Sequence, residues 1–155
     1  MYNLKYNLII LDDYMIFDDL QKANIQSMKD HDKVAHEIIS LVFGKCKNEA
    51  IDKGYADRKL PDPEALRIIQ KTIKELDEER LAFEKASRAE KVAELKAQAE
   101  ILNKYLPKQL SEDEIRKIIE SLDDKKIPSV MKYFKANYQG QVDNSLVSKI
   151  AREFN

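Results

Sequence analysis

The residues that most often carry out chemistry in proteins are sparse in this sequence. His31 and His36 are its only histidines, and their i, i+5 spacing does not give the shared helical face of an i, i+4 zinc pair. Cys46 is the only cysteine, and its helical spacing is typical of a small core residue rather than of a nucleophile. Three isolated glycines cannot form a phosphate-binding loop. We therefore predict no catalytic residue, no metal site and no cofactor.

Acidic residues are frequent, with the runs "ELDEE" at 75–79 and "SEDE" at 111–114. Paired carboxylates can carry out acid–base catalysis when their surroundings separate their pKa values. These runs fall at helix starts and on outer helical faces, where they complement the helix dipole and remain solvated. We interpret them as surface charge.

A basic segment near the end of the chain is more informative. Between Lys125 and Arg152 there are six basic residues and one acid, Asp143, so the segment carries +5 although the whole chain carries −1. Tyr133 and Tyr138 lie within it. Point charges for phosphates beside aromatic rings for bases are typical of an RNA contact. The alternative is an ordinary solvated face with the tyrosines packed in the core.

The composition predicts long amphipathic helices. Of 155 residues, 43% are apolar and 35% are charged, with only three glycines and four prolines. Few turn residues among many Lys, Glu, Leu and Ala favour an all-α fold. No apolar run approaches the roughly 20 residues of a membrane-spanning helix, and the start lacks a signal-peptide pattern. We expect a cytoplasmic protein without a membrane partner.

Apolar periodicity predicts four helices before residue 107. The first covers 16–30, and the second begins after the N-cap Asp32 and ends at Gly54. The third begins at the N-cap Asp62 and runs to about Lys85, and the fourth forms a long helical hairpin with it. Inside the second helix Gly44 is unfavourable, so we predict that another helix crosses closely there.

The stretch "YLPKQLSEDEI" at 105–115 predicts a defined corner. Pro107 ends the fourth helix, and Ser111 with Glu114 forms a capping box that begins the next. Three short helices follow, the second beginning at Ser129 and the third at Asp143. We therefore predict an N-terminal helical domain over 15–106 and a compact three-helix lobe over 107–155. Residues 1–14 are expected to be an extension, either a short strand or an apolar plug, with Met15 as an alternative start.

The sequence resembles the GatB/YqeY family over about residues 16–155. The matching stretches include "FDDLQKANIQSMKDHDKVA", "AEILNKYLPKQLSEDEI" and "VMKYFKANYQGQVDNSLVSKIAREF". The resemblance implies an all-helical bacterial protein related to the C-terminal tail of the GatB subunit of tRNA-dependent amidotransferase. It also implies that family annotation assigns carbon–nitrogen ligase activity with glutamine as amide donor. Gln141 and Val142 stand where relatives carry arginine and alanine.

These observations lead to three hypotheses. The first is a non-catalytic, translation-accessory module that binds tRNA, in keeping with the tRNA-contacting tail that the resemblance implies. The second is a helical adaptor that binds amidotransferase subunits or another protein without RNA. The third, an autonomous amidotransferase, lacks the site residues it would need. The residues proposed to contact RNA are Lys125, Lys126, Lys132, Lys135, Gly140, Lys149 and Arg152.

Overall fold

The computed structural model describes residues 14–155 and confirms the all-α fold class. Within that range the regular structure consists of helices, with no strand and no helix long and apolar enough to cross a membrane. The chain divides into two compact units, the first ending at Leu106 and the second spanning Pro107–Asn155. The extension predicted for residues 1–14 lies outside the described residues, apart from Tyr14.

Over residues 14–106 the first unit contains four α-helices and a one-turn 3-10 helix, Ala56–Arg58. The α-helices are α1 (Met15–Lys29), α2 (Lys33–Asp52), α3 (Asp62–Lys85) and α4 (Ala89–Asn103). Contacts between α1 and α2 and between α3 and α4 are the most extensive. The core is formed by the apolar face of each helix, with members that include Leu20, Val42, Leu66, Ile69, Leu95 and Leu102.

Two aspartates predicted to cap helices behave differently. Asp32 caps α2 as predicted, since its carboxylate accepts a hydrogen bond from the Ala35 amide at 3.1 Å. The N-cap prediction for Asp62 was wrong, because α3 begins at Asp62 with Pro61 as its N-cap. The buried Asp62 carboxylate accepts from the Ile16 amide in the first turn of α1, at 2.9 Å. Tyr14, at the N-cap of α1, supplies no side-chain acceptor. The orphan amide of α1 therefore takes its partner from a residue 46 positions away.

The prediction of a close helix crossing at Gly44 was also wrong. A Cβ built at this position meets no atom within 4 Å, so nothing in the packing requires glycine there. Gly54 has equally open surroundings, but its φ of +68° is in the left-handed region that favours glycine. Both glycines thus have room for a Cβ atom, and they differ only in backbone conformation.

A small ionic network joins the end of α2 to the start of α3. The nearly buried Glu64 carboxylate binds the Lys53 ammonium, and Lys53 also contacts Glu49 at 2.9 Å. Burial opposes ionisation of Glu64, but hydrogen bonds from Lys53 and Tyr55 outweigh it and hold its pKa below the ordinary value of 4.5. The network fixes the loop between the two helices.

The second unit contains α5 (Glu112–Ser121), α6 (Ile127–Asn137) and α7 (Asn144–Arg152). The predicted capping box is confirmed: the Glu114 amide donates to Ser111 Oγ at 3.2 Å, and the Ser111 amide donates to Glu114 Oε2 at 2.8 Å. Helix α6 begins two residues before the predicted Ser129, because Pro128 fits the first helical turn. The core of this unit consists of Ile115, Ile119, Val130, Phe134, Val142, Val147, Ile150 and Ala151.

We predict that Gly44→Ala stabilises the protein, whereas Gly54→Ala destabilises it. Alanine at Gly44 gains about 1 kcal/mol of helix propensity without a clash. Alanine at Gly54 must adopt a positive φ, at a cost of about 1–2 kcal/mol. Urea unfolding of the two variants and the wild type measures both effects. A loss of stability in Gly44→Ala would contradict the observed open surroundings.

We predict that Glu64→Gln removes a pH-dependent part of the stability. Because the pKa of Glu64 is lower in the folded protein, its contribution is complete above its ordinary value of 4.5 and is lost as pH falls through the folded value. The variant should therefore be less stable than the wild type at neutral pH, and the difference should shrink under acid. Unfolding free energies measured across that range test this. A difference that stays constant with pH would contradict the assignment.

Candidate nucleic-acid interface

Long-range hydrogen bonds position the helices that carry the basic segment. The Leu110 amide donates to the Gln141 carbonyl at 2.8 Å, and Gln109 Nε2 donates to the Gly140 carbonyl at 2.6 Å. Gly140 is buried and has a φ of +79°. These contacts fasten the turn between α6 and α7 to the segment that precedes α5. Gly140 therefore shapes the turn, and we no longer include it among the contact residues.

Helix α6 presents two lysines away from its core face. Val130 and Phe134 are buried, and Lys132 lies midway between them in sequence, so its side chain leaves the opposite side of the helix. Lys135 follows three residues after Lys132 and is also exposed. The two ammonium groups thus extend from one solvent-facing side of α6.

Helix α7 likewise has a buried apolar side and two exposed cations. Val147, Ile150 and Ala151 are buried, whereas Lys149 and Arg152 are exposed and spaced i, i+3. Cations in the last turn also complement the helix dipole, which is a structural reason for their presence. We call the side of α6 bearing Lys132 and Lys135, together with the side of α7 bearing Lys149 and Arg152, the basic faces.

The two lysines that precede α6 differ from each other. Lys125 is half-buried, and its ammonium donates to the Leu122 carbonyl at the end of α5, at 2.6 Å. Lys126 has an exposed side chain, while its amide donates to Asp124 Oδ1 at 3.0 Å. Hydrogen bonds from Ser129 and the Lys126 amide hold the pKa of Asp124 below its ordinary value. Lys125 therefore contributes mainly to the turn, and Lys126 remains available to a ligand.

Three acids of this unit are paired with cations outside the basic faces. Arg116 on α5 binds both Glu153 carboxylate oxygens, at 3.1 and 3.3 Å, and Lys108 contacts Glu114 at 3.3 Å. In the part of the chain that the structure describes, Lys126 and the four residues of the basic faces form no salt bridge. Their charge is therefore available for an external anion.

The tyrosines of the basic segment form an aromatic cluster with Phe134. Tyr133 is 36% exposed, and its ring centroid lies 6.0 Å from that of Phe134 and 6.2 Å from that of Tyr138. Tyr138 is half-buried, with its centroid 5.4 Å from that of Phe134. One tyrosine therefore belongs largely to the core, and the other reaches solvent.

A groove of about 490 Å³ between α2 and α3 is less suited than the basic faces to binding a charged ligand. Lys45 and Arg67 on its wall contact Glu75 at 3.3 Å and Glu64 at 3.4 Å. Asp52 adds further negative charge. The groove thus neutralises most of its own charge, and it offers no single-sign field to a ligand.

Residues that could act as nucleophiles or metal ligands are isolated in the described structure. Burial, aided by the charge of Glu49, raises the pKa of Cys46 to about 12, so its thiol stays protonated. His36 Nδ1 lies 3.2 Å from Ser27 Oγ, which also donates to the Asn24 carbonyl. Among residues 14–155 no group of three or more His, Cys, Asp or Glu side chains could hold a metal ion.

The sequence did not reveal the residues that hold this interface together. Gln109 and Asn155 carry no motif, yet Asn155 Nδ2 donates to the Lys125 carbonyl, 30 residues away, at 2.8 Å. Among the sequence features, only the positive charge of the basic segment indicated that α6 and α7 could form an RNA interface. The capping box predicted where α5 begins. No local sequence pattern predicted that the turn between α6 and α7 would hydrogen-bond to the segment before α5.

Fold and surface together define an all-helical protein of two units whose second unit exposes basic faces on adjacent helices. The family model described as "Yqey-like protein" matches residues 17–154. The chain belongs to this YqeY-like family. A comparison with curated protein sequences gave no match.

We predict that Cys46 does not react with a thiol reagent in the folded protein. Its side chain is fully buried and its pKa is raised to about 12, so the reagent cannot reach the sulfur and the reactive thiolate is not formed. Ellman's reagent should label the thiol only as fast as the protein opens, and completely in denaturant. Rapid stoichiometric labelling of the native protein would contradict this assignment and would reopen a role for Cys46 as a nucleophile.

Proposed function

We propose that this YqeY-like protein is a non-catalytic RNA-binding module of translation and that its ligand is tRNA. The basic faces of α6 and α7 contact the phosphate backbone, with Lys126 as an additional cation. Phosphate contacts of this kind determine affinity and orientation, and they do not require a reaction centre.

The observation that supports this proposal is the separation of charge in the second unit. Its net charge is near zero, because nine basic residues stand against eight acidic ones over 107–155. Six of the acids precede Lys125, and Arg116 and Lys108 pair with three acids of the unit. The cations of α6 and α7 form no salt bridge among the described residues, although Lys149 lies close enough to Glu153 to lower its pKa, and exposed cations release counterions from RNA when they bind it.

The choice of tRNA comes from the resemblance to the GatB/YqeY family, in which the GatB tail contacts tRNA. On this proposal the protein shares an RNA-binding surface with an amidotransferase but not its chemistry. Amidotransferase subunits are then possible partners that meet the module on the same tRNA. Glutamine-dependent amidation by the purified chain alone would refute the non-catalytic part of the proposal.

A protein-binding adaptor is the second candidate, and the first unit carries the observation that favours it. Single large apolar side chains are exposed on its helices, although isolated apolar residues on a surface are common. They are Ile25, Met28, Leu41, Ile51 and Leu81. Capture of a protein partner by a chain that does not bind tRNA at low salt would support this alternative.

We predict that Lys132→Glu/Lys135→Glu weakens binding to bulk tRNA and reduces its salt dependence. Loss of two phosphate contacts should lower the slope of log K against log salt by about 1 per lysine. Lys149→Glu/Arg152→Glu should have a similar effect. Filter-binding titrations at several salt concentrations measure affinity and slope together.

Lys117 provides the matched control for these variants. It is an exposed lysine of the same unit, but it lies on α5, outside the basic faces. Lys117→Glu changes the net charge as Lys132→Glu does, and it should leave the affinity nearly unchanged. Equal losses in both single variants would indicate a general charge effect, and absence of tRNA binding at low salt would refute the proposed function.

A further inference from the structure

The basic faces are accompanied by an exposed aromatic ring whose position the phosphate contacts do not explain. Tyr133 lies between Lys132 and Lys135 in sequence and keeps 36% of its surface exposed. Among the described residues its hydroxyl forms no hydrogen bond, so no polar contact requires a tyrosine at this site. Burial of the ring does not explain it either, because Phe134 and Tyr138 already fill the adjoining core.

The ring of Tyr133 is held by its aromatic neighbours. The edge-to-face arrangement with the fully buried Phe134 has an interplanar angle of 82°, and the tilted arrangement with Tyr138 has one of 50°. Such pairs restrict the ring beyond what burial alone would do. An aromatic side chain that is both exposed and fixed loses little conformational entropy when a second flat group stacks on it.

The cations nearest to this ring along the chain are Lys126 and Lys132. Lys126 is the N-cap of α6, about two turns before Tyr133 on the N-terminal side of the ring. Lys132 precedes Tyr133 by one residue and leaves the helix about 100° around its axis, whereas Lys135 leaves it on nearly the opposite side. A nucleotide whose base lies on the ring would thus direct its flanking phosphates toward Lys126 and Lys132, and Lys135 would contact a different part of the backbone.

We propose that Tyr133 is a stacking platform for an unpaired base, so the RNA ligand contains a splayed or single-stranded nucleotide at this site. The inference rests on the proposed RNA binding and specifies the part of the RNA that α6 contacts. Bases inside a duplex cannot stack on a protein ring, because their faces are covered by adjacent pairs. The site therefore distinguishes an unpaired nucleotide, in a loop or a single-stranded overhang, from a paired helix.

Variants of the full chain at Tyr133 test this inference. Tyr133→Leu keeps an apolar side chain and removes the ring, and Tyr133→Phe keeps the ring and removes the hydroxyl. The probes are an RNA hairpin with an unpaired loop and a blunt RNA duplex with the same number of phosphates. Thermal unfolding of each variant verifies that the fold is retained.

We expect Tyr133→Leu to weaken binding to the looped RNA roughly 5- to 150-fold, the range of base–aromatic stacking. Its affinity for the duplex should not change, and Tyr133→Phe should bind both as the wild type does. The chain contains no tryptophan, so Tyr133→Trp introduces a unique fluorophore that the looped RNA should quench and the duplex should not.

The outcomes separate this inference from the function on which it rests. Equal affinity of Tyr133→Leu and wild type for the looped RNA, with weakened binding by Lys132→Glu/Lys135→Glu, would overturn the platform and retain RNA binding. Equal quenching by loop and duplex would overturn it as well. Absence of binding to either RNA would refute the proposed function and this inference together.

Discussion

The second unit depends on the hydrogen bonds that join residues 109–110 to residues 140–141. A domain of this size buries a smaller fraction of its surface than a larger one, so its few core residues leave little excess stability. The Gln109 and Leu110 contacts tie the beginning of the unit to the turn between its last two helices. Together with the shared core of Phe134, Val147 and Ile150, they support α6 and α7 and fix the orientation of their exposed sides.

Charge separation explains why the whole-chain charge says little about this protein. A net charge of −1 does not predict binding to a polyanion, yet six of the eight acids in the second unit precede Lys125, whereas six of its nine cations lie between Lys125 and Arg152. The pairing of Arg116 with Glu153 removes one of the two acids that follow Lys125. A polyanion is sensitive to the local field within about a Debye length, roughly 8–10 Å at physiological salt, and not to the sum over the chain.

The sequence predicted features that depend on neighbouring residues. The helices, the Asp32 cap and the capping box of Ser111 and Glu114 are local patterns, and each is found in the structure. Asp62 was assigned to its own helix because sequence reading cannot see the α1 amide that it binds. Gly44 suggested a crossing helix because propensity identifies an unfavourable residue without showing what surrounds it. Both errors concern contacts between residues far apart in the chain, one of which is present at Asp62 and one absent at Gly44.

The candidate interface was likewise predictable only in the features that depend on local spacing. Spacing at i, i+3 placed each pair of cations on one side of a helix, and the structure exposes both pairs. Spacing could not indicate that Lys125 binds the Leu122 carbonyl or that Gly140 is buried beneath Gln109, since each depends on the meeting of two elements. The division of the tyrosines into one half-buried and one exposed ring likewise follows from the packing around Phe134.

We propose that α6 and α7 bind RNA through their exposed cations. Amide chemical-shift mapping of the isotope-labelled full chain, titrated with bulk tRNA at low salt, tests this most directly. We expect the largest shifts at and beside Lys132, Lys135, Lys149 and Arg152. Shifts confined to α1–α4, or no shifts at all, would contradict it.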